Sequence, residues 1–223
     1  MEMPGVVEPD RIQSRSFEII AELLRGFNQS APEWPIVRRV VHATGDPAIA
    51  GLLRIHPMAV QAGLAALRGG RPIIADVRMV EAGIDRGLAA TMGCELLCAV
   101  DEPSAMETAR KLHVTRSAAA LIQLSARIPG AIVAIGNAPT ALFALLEMLE
   151  AGSGAPALVV GVPVGFVGAA EAKAELMRWG RRGPPYICVE GSRGGSSIAA
   201  AVVNALLHMA CDGVRTRLKE GGE

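Results

Sequence analysis

The 223-residue chain has few aromatic side chains and no net charge. It contains 2 Trp, 1 Tyr and 4 Phe, and its 22 Lys and Arg residues balance its 22 Asp and Glu residues. Proteins that bind nucleic acid usually carry a basic surface, and those that bind single strands stack bases on aromatic rings. We therefore expect no nucleic-acid partner. Because 51% of the residues are apolar, the chain can form a core and does not have the composition of a disordered protein.

The chain also lacks segments typical of secretion or membrane insertion. Its first twenty residues include Glu2, Glu8 and Arg11, so they contain no apolar signal-peptide core. The least charged stretch, 129–170, is divided by glycine and proline into pieces shorter than the roughly 18 apolar residues of a spanning helix. We predict a cytoplasmic protein without a membrane partner.

Motifs for metal sites and for nucleophilic serines are missing as well. Cys94, Cys98, Cys188 and Cys211 do not form paired Cys-x-x-Cys motifs, and no His-Glu-x-x-His motif occurs. No Gly-x-Ser-x-Gly or Ser-x-x-Lys motif marks a serine as a nucleophile. We expect four buried free thiols and no metal site.

Short apolar runs alternate with helical segments from residue 71 onward. The predicted strands are 71–76, 94–100, 131–135, 157–160 and 185–189. The predicted helices of this part are 77–84, 103–112, 116–127, 140–151, 169–179 and 197–209. Continuous apolar strands that alternate with helices are typical of a parallel sheet covered on both faces. We therefore predict an α/β protein with a five-stranded, doubly wound core of flavodoxin size.

The first seventy residues are predicted to be wholly helical. The predicted helices of this part are 10–27, 35–42, 47–53 and 57–68. No repeat or low-complexity linker divides the chain. We predict a single domain over 1–223, in which a helical N-terminal part over about 10–70 packs on an α/β core over about 71–209.

Three glycine-rich loops follow predicted strands. They are 135–140 (IGNAPT), 161–168 (GVPVGFVG) and 190–197 (EGSRGGSS). Ligands of open α/β sheets bind beyond the carboxyl ends of the strands, where backbone N–H groups and helix N-termini favour anions. None of the loops contains a Walker lysine or a Gly-x-Gly-x-x-Gly dinucleotide fingerprint. The loops alone leave two interpretations open, an anionic ligand and ordinary turn chemistry.

Two basic side chains stand at predicted helix ends. His42 lies at the end of an apolar helix, where an imidazole can exchange a proton near neutral pH or cap the helix. Arg116, between Thr115 and Ser117, begins a helix with a capping hydroxyl and a cation, which together can dock an anion. Arg15 lies inside the first helix, where it is either such a cation or a solvated side chain.

Seven segments in order along residues 10–209 match a known family. They are 14–20 (SRSFEII), 40–46 (VVHATGD), 73–80 (IIADVRMV), 115–120 (TRSAAA), 135–142 (IGNAPTAL), 161–171 (GVPVGFVGAAE) and 193–196 (RGGS). With these segments the sequence resembles the precorrin-8X methylmutases and their cobalt-precorrin-8 counterparts of vitamin B12 biosynthesis. The combination of IGNAPTAL with GVPVGFVGAAE is highly specific. Ser14 replaces a glutamate that is frequent in the family, so no role is carried to it.

The resemblance implies an isomerase that moves one methyl group from carbon eleven to carbon twelve of a corrinoid macrocycle, giving hydrogenobyrinic or cobyrinic acid. It also implies a flavodoxin-like α/β/α fold, a homodimer and no added cofactor, and the family's catalytic histidine falls on His42. We assign further residues to the carboxylate-bearing substrate. They are Arg15, Ser16, Thr115, Arg116, Ser117, Asn137, Gly161, Gly165 and Gly194.

Two other functions stay open at this point. A binding module for a nucleotide, flavin or other anionic ligand would have the same loops without chemistry. A carrier would hold the corrinoid product and channel it to other enzymes of the pathway. A catalytic requirement for His42 separates an enzyme from the binding module, and turnover by the purified protein separates it from the carrier. The family that the sequence resembles includes enzymes for the cobalt-bearing substrate and enzymes for the metal-free substrate, and the sequence does not distinguish them.

Overall fold

The computed structural model describes residues 9–179 and 182–220, so the first eight residues used for the signal-peptide prediction lie outside the described part. The α-helices are α1 Pro9–Leu23, α2 Trp34–Thr44, α3 Ala59–Arg68, α4 Arg78–Gly83, α5 Arg86–Thr91, α6 Pro103–Leu112, α7 Arg116–Gln123, α8 Pro139–Glu150, α9 Ala169–Trp179 and α10 Ser196–Glu220. Two 3-10 helices span Pro47–Leu52 and Ser125–Arg127. The strands are β1 Leu53–Ile55, β2 Ile73–Ala75, β3 Leu96–Leu97, β4 Ile132–Ile135, β5 Leu158–Gly161 and β6 Tyr186–Val189.

The six strands form one mixed sheet in the order β1-β6-β5-β4-β2-β3. The five strands from β6 to β3 are parallel, whereas β1 runs antiparallel to β6 and places Leu53 opposite Val189. The prediction of a five-stranded parallel sheet and of a wholly helical N-terminal part is therefore wrong at β1. This strand has only three residues and directly follows a 3-10 helix, so its apolar start resembles the end of that helix.

Alternate residues of the central strands face two separate cores. In β4, Ile132 and Ala134 belong to one core and Val133 and Ile135 belong to the other, and all four are fully buried. The first core contains residues of α1, α2, α3, α4 and α10, and the second contains residues of α7, α8 and α9. Helices therefore cover both faces of the sheet, as continuous apolar strands require.

The last helix, α10, lies at the centre of the first core. It begins one residue before the predicted helix and continues well past its predicted end. Its segment Ser196–Gly213 is long and apolar enough to cross a membrane, but 67% of it is buried inside the fold. Val202, Val203 and Leu206 are fully buried, and the helix packs against α2, α3 and α4. The position of α10 in the core accounts for its apolar composition.

Several predicted elements have the observed bounds. Helices α6 and α9 coincide with their predictions, and the four cysteines are free and buried as expected. The predicted strand 94–100 is reduced to β3, and the predicted helix 116–127 ends at Gln123 before a 3-10 turn. Helix α5 was not predicted. Because β2, β4, β5 and β6 are parallel, the loops that follow them all leave from the same edge of the sheet, and the candidate site lies there.

Candidate active site

His42 lies in the last turn of α2 with its side chain exposed. The helix is capped by Gly45, which has a φ of 64° and donates its N–H to the carbonyl of Val41. The Nδ1 atom of His42 is 2.8 Å from the hydroxyl of Ser16, and the ring of Phe17 contacts the imidazole edge to face at 5.4 Å between centroids. Since Gly45 supplies the cap, the imidazole is oriented by side chains of α1 rather than by the end of its own helix.

The contact with Ser16 leaves the other ring nitrogen of His42 for a ligand. A serine hydroxyl both donates and accepts, and in the tautomer in which Ser16 donates to Nδ1 the imidazole carries its hydrogen on Nε2. His42 also lines a cavity of about 240 Å³, together with residues that include Arg39, Ser197 and Asn204. The arrangement places one oriented imidazole at the wall of a small cavity.

The wall opposite His42 is built where α4 meets α10. The side chain of Asn204 donates to the carbonyl of Gly83 and accepts the N–H of Asp85, both at 2.8 Å. A Cβ atom on Gly83 would lie 2.7 Å from the Cβ atom of Ala200, so glycine allows the two helices to approach this closely. The hydrogen bonds of Asn204 and this close approach hold the cavity wall in place.

Asp76, which the sequence analysis did not single out, organises the loop after β4. Its side chain is 2% exposed, and its carboxylate accepts the backbone N–H groups of Gly136, Asn137 and Ala138 at 3.1, 2.9 and 2.8 Å. Burial raises the pKa of the Asp76 carboxyl, and the three donors lower it in part. These N–H groups are thus used within the protein, and the exposed side chain of Asn137 is the part of that residue available to a ligand.

The loops after β5 and β6 are joined to each other. Gly195 donates its N–H to the carbonyl of Val162 at 2.8 Å, and Gly165 donates to the carbonyl of Ser192 at 3.0 Å. A Cβ atom on Gly194 would overlap the carbonyl oxygen of Val162, so only glycine fits at this crossing. Two of the glycines predicted to bind substrate therefore also hold these two loops together.

Gly161 has a packing role at the end of β5. It is buried, and a Cβ atom on it would lie 2.5 Å from the side chain of Leu176 in α9 and 3.4 Å from that of Leu142 in α8. Its missing side chain therefore makes room for both helices on the sheet.

The start of α7 lies beside the start of α8. The hydroxyl of Thr115 accepts the N–H of Ala118 at 3.3 Å and forms a hydrogen bond with the hydroxyl of Thr140 at 2.7 Å. Arg116 is exposed, whereas Ser117 is 8% exposed. Since Thr140 directly follows the loop that contains Asn137, the structure brings Thr115 to the same edge of the sheet as the loop after β4.

Two arginines near this edge are paired with carboxylates of the chain. Arg15 lies 2.8 Å from Glu18, and both side chains are more than 60% exposed, at 65% and 63%. Water screens exposed pairs of this kind and makes them weak, so Arg15 can exchange Glu18 for a ligand carboxylate. Arg193 pairs with Asp46 and thereby connects the loop after β6 to the turn that follows α2.

Lys173 is a buried cation that the sequence analysis missed. It lies in α9 on the same side as Ala172 and Leu176, is fully buried, and donates from Nζ to the backbone carbonyl of Arg193 at 2.5 Å. Burial lowers the pKa of Lys173 to about 8, and burial raises the pKa of the neighbouring Cys188 thiol to about 12. Its spacing from the apolar residues of α9 was a signal that the lysine faces inward.

We expect Lys173 to make the unfolding free energy rise with pH. Between about 8 and the ordinary value of 10.5, the unfolded chain holds a proton that native Lys173 has released, so deprotonation favours the native state. Lys173→Met lacks this contribution. Urea unfolding of both proteins at pH about 7 and about 9.5 measures this effect. The unfolding free energy of the parent, relative to that of Lys173→Met, should be higher at the higher pH. A difference that does not change with pH would contradict the assignment.

Within residues 9–179 and 182–220, no three His, Cys, Asp or Glu side chains group as metal ligands would.

Comparisons with known proteins agree with the sequence resemblance. The family model for precorrin-8X methylmutase matches residues 11–209. A cobalt-precorrin-8 methylmutase of Priestia megaterium is 38% identical over 211 residues, which is 95% of this chain and 92% of that protein. A precorrin-8X methylmutase of Pseudomonas aeruginosa is 49% identical over 168 residues, which is 75% of this chain and 80% of that protein.

The fold is similar to a solved structure as well. The crystal structure of a precorrin-8x methyl mutase from Thermus thermophilus has a TM-score of 0.80 and 39% sequence identity, with 91% of this chain and 98% of that chain covered. The range matched by the family model includes all six strands and His42. The chain therefore belongs to the precorrin-8X methylmutase family of intramolecular transferases.

Proposed function

We propose that this protein catalyses the migration of a methyl group from carbon eleven to carbon twelve of a precorrin-8-type macrocycle in cobalamin biosynthesis. Its relatives include enzymes named for the metal-free and for the cobalt-bearing substrate. The observation that carries the proposal is the exposed imidazole of His42, which is held by Ser16 through Nδ1 at the wall of a cavity. An isomerisation needs no net transfer of electrons, and one well-placed proton donor suits it.

The role proposed for His42 is to stabilise one tautomer of the conjugated ring while the methyl group moves. An imidazole can serve as a general acid or base, and a side chain held by a second residue presents its proton in a fixed direction. Ser16 acts as the positioning residue, because its hydroxyl contacts Nδ1 and so selects the ring orientation.

The remaining predicted residues are proposed as contacts of the substrate's carboxylates. Arg116 is supported by its exposed position at the start of α7, where a helix N-terminus and a guanidinium both favour an anion. Arg15 is supported by its weak, exposed pairing with Glu18. The other proposed contacts are Ser16, Thr115, Ser117, Asn137, Gly161, Gly165 and Gly194.

We further propose that the core is flavodoxin-like and that two chains form a homodimer in the cytoplasm. The order of the five parallel strands supports the first point, since among themselves they follow the doubly wound order 2-1-3-4-5. Phe166 and Val167 support the second point, because they are 98% and 89% exposed and apolar surface of this kind is often covered by a partner. Sedimentation equilibrium should give twice the 23.2 kDa of one chain, and a mass of 23.2 kDa would contradict the dimer.

Conversion of precorrin-8 by the purified protein tests the proposed activity. The macrocycle, prepared with and without cobalt, is incubated with the protein, and the visible spectrum is followed for the appearance of cobyrinic or hydrogenobyrinic acid. Many product molecules per protein molecule would support an enzyme. A single equivalent of bound product without turnover would instead indicate a carrier, and no change with either substrate would contradict the proposal.

A further inference from the structure

The buried lysine of α9 reaches the loop that follows β6. Lys173 is fully buried, and its Nζ donates to the backbone carbonyl of Arg193 at 2.5 Å. The carbonyl of the preceding residue, Ser192, accepts the N–H of Gly165 at 3.0 Å. Two consecutive carbonyls of the loop after β6 are therefore held by donors from the loop after β5 and from the helix that follows it.

The position of Lys173 in α9 would suit an apolar side chain. Ala172 and Leu176, on the same side of the helix, are fully buried. Burial of a charged group is unfavourable, and here the acceptor of its hydrogen bond is a neutral carbonyl rather than a carboxylate. Replacement of buried charged groups by well-packed apolar side chains is often neutral or stabilising. Packing therefore does not account for a lysine at this position, whereas the hydrogen bond to Arg193 does.

The residue that Lys173 holds also contacts the turn after the helix of His42. The guanidinium of Arg193 pairs with Asp46, which follows His42 by four residues. The second carboxylate oxygen of Asp46 accepts the N–H of Ala48 at 2.9 Å and caps the 3-10 helix that begins there. A chain of contacts therefore runs from Lys173, through the backbone and the side chain of Arg193, to the end of α2.

We propose that Lys173 is a positioning residue, which holds Arg193 so that the loop after β6 and the end of α2 keep a fixed distance. The role rests on the proposed function, because that function gives His42 the proton and Gly194 a contact with the substrate. A misplacement of about 1 Å, caused far from the reacting atoms, can lower a rate by about a hundredfold. Since Lys173 is fully buried, it acts through Arg193 and not by contact with the substrate.

Steady-state kinetics of Lys173→Met test this role. Methionine is long and apolar, but it cannot donate to the carbonyl of Arg193. For conversion of precorrin-8, kcat should fall about ten- to a hundredfold. KM should stay within about threefold of the parent, because Arg15 and Arg116 remain to bind the substrate's carboxylates. The midpoint of urea unfolding at pH about 7 should not fall, since a buried charge is removed. A lysine with a structural role alone would give the reverse, a parental kcat and a lower midpoint.

Lys111→Met is the matched control. Lys111 is an exposed lysine of α6 that pairs with Glu107, so its replacement should leave kcat and KM at the parental values. Arg193→Gln tests the route of the effect, because it removes the pair with Asp46 and leaves the backbone carbonyl in place. Since Lys173 and Arg193 belong to one chain of contacts, the double variant should lose no more kcat than the worse single variant. Losses that multiply would overturn the route through Arg193.

Hydrogen exchange separates this inference from the proposed function. In Lys173→Met the amides of Gly165 and Gly195 should exchange faster than in the parent, and those of β4 at the parental rate. Parental exchange and a parental kcat, with a parent protein that converts precorrin-8, would overturn the inference alone. A parent protein that does not convert precorrin-8 would overturn the proposed function and the role in it. If Lys173→Met fails to fold, Lys173→Gln decides, because its amide is one atom too short to reach the carbonyl.

Discussion

Replacement of His42 by alanine is expected to lower the turnover of precorrin-8 by about 10²–10⁴-fold, the usual contribution of a general acid. The fold should persist, because Gly45 and not His42 caps α2 and the imidazole is exposed. Loss of a favourable side chain at a helix end costs only about 0.3–1 kcal/mol. Binding of the product should also persist, since its carboxylates are held by other residues. Initial rates from the visible spectrum measure the effect.

Two further variants separate proton donation from packing at this position. His42→Asn keeps a hydrogen-bonding side chain of similar size that does not titrate, so it should be nearly as inactive as His42→Ala. His56→Ala is the matched control, because His56 lies beside Tyr186 at the amino end of β6, away from the edge that carries the site. Turnover by His42→Ala within about threefold of the parent would lie far below the acid–base range and would remove His42 from the mechanism.

The parallel core was predictable because its signals are local. Each central strand is a continuous apolar run that ends in glycine or a polar residue, and each following helix has its own periodicity. Helices α6 and α9 were predicted at their observed bounds for this reason. Strand β1 has no comparable signal. Its three residues pair with β6, more than 130 residues later, and a sequence pattern does not contain such a pairing.

The residues that organise the site were harder to find for the same reason. The three N–H groups that Asp76 accepts are 60 to 62 residues away in the sequence and meet it only because β2 and β4 are neighbours in the sheet. Arg39 looks like a solvated residue of an amphipathic helix until the packing of α1 and α10 against α2 half-buries it. Motifs therefore located His42, whereas the topology was needed to find its surroundings.

Replacement of Asp76 is expected to cause a large loss of stability. In Asp76→Ala, two buried N–H groups and the half-buried N–H of Asn137 lose their acceptor. Because each buried donor left unsatisfied costs about 1–3 kcal/mol, we expect the unfolding free energy to fall by about 3–5 kcal/mol. Asp76→Asn keeps one oxygen, but its amide NH₂ would face an N–H donor. We therefore expect a smaller loss of about 1–3 kcal/mol, the cost of a buried group left unsatisfied. Urea unfolding with an unchanged m-value measures both.

Asp101→Asn provides the control for this prediction. Asp101 is 57% exposed and lies 3.1 Å from Arg78, so the same chemical change there should cost less than about 1 kcal/mol. Hydrogen exchange makes the comparison local: the amides of Gly136, Asn137 and Ala138 should exchange faster in Asp76→Asn and at the parental rate in Asp101→Asn. Equal small losses in the two variants would mean that water replaces the carboxylate.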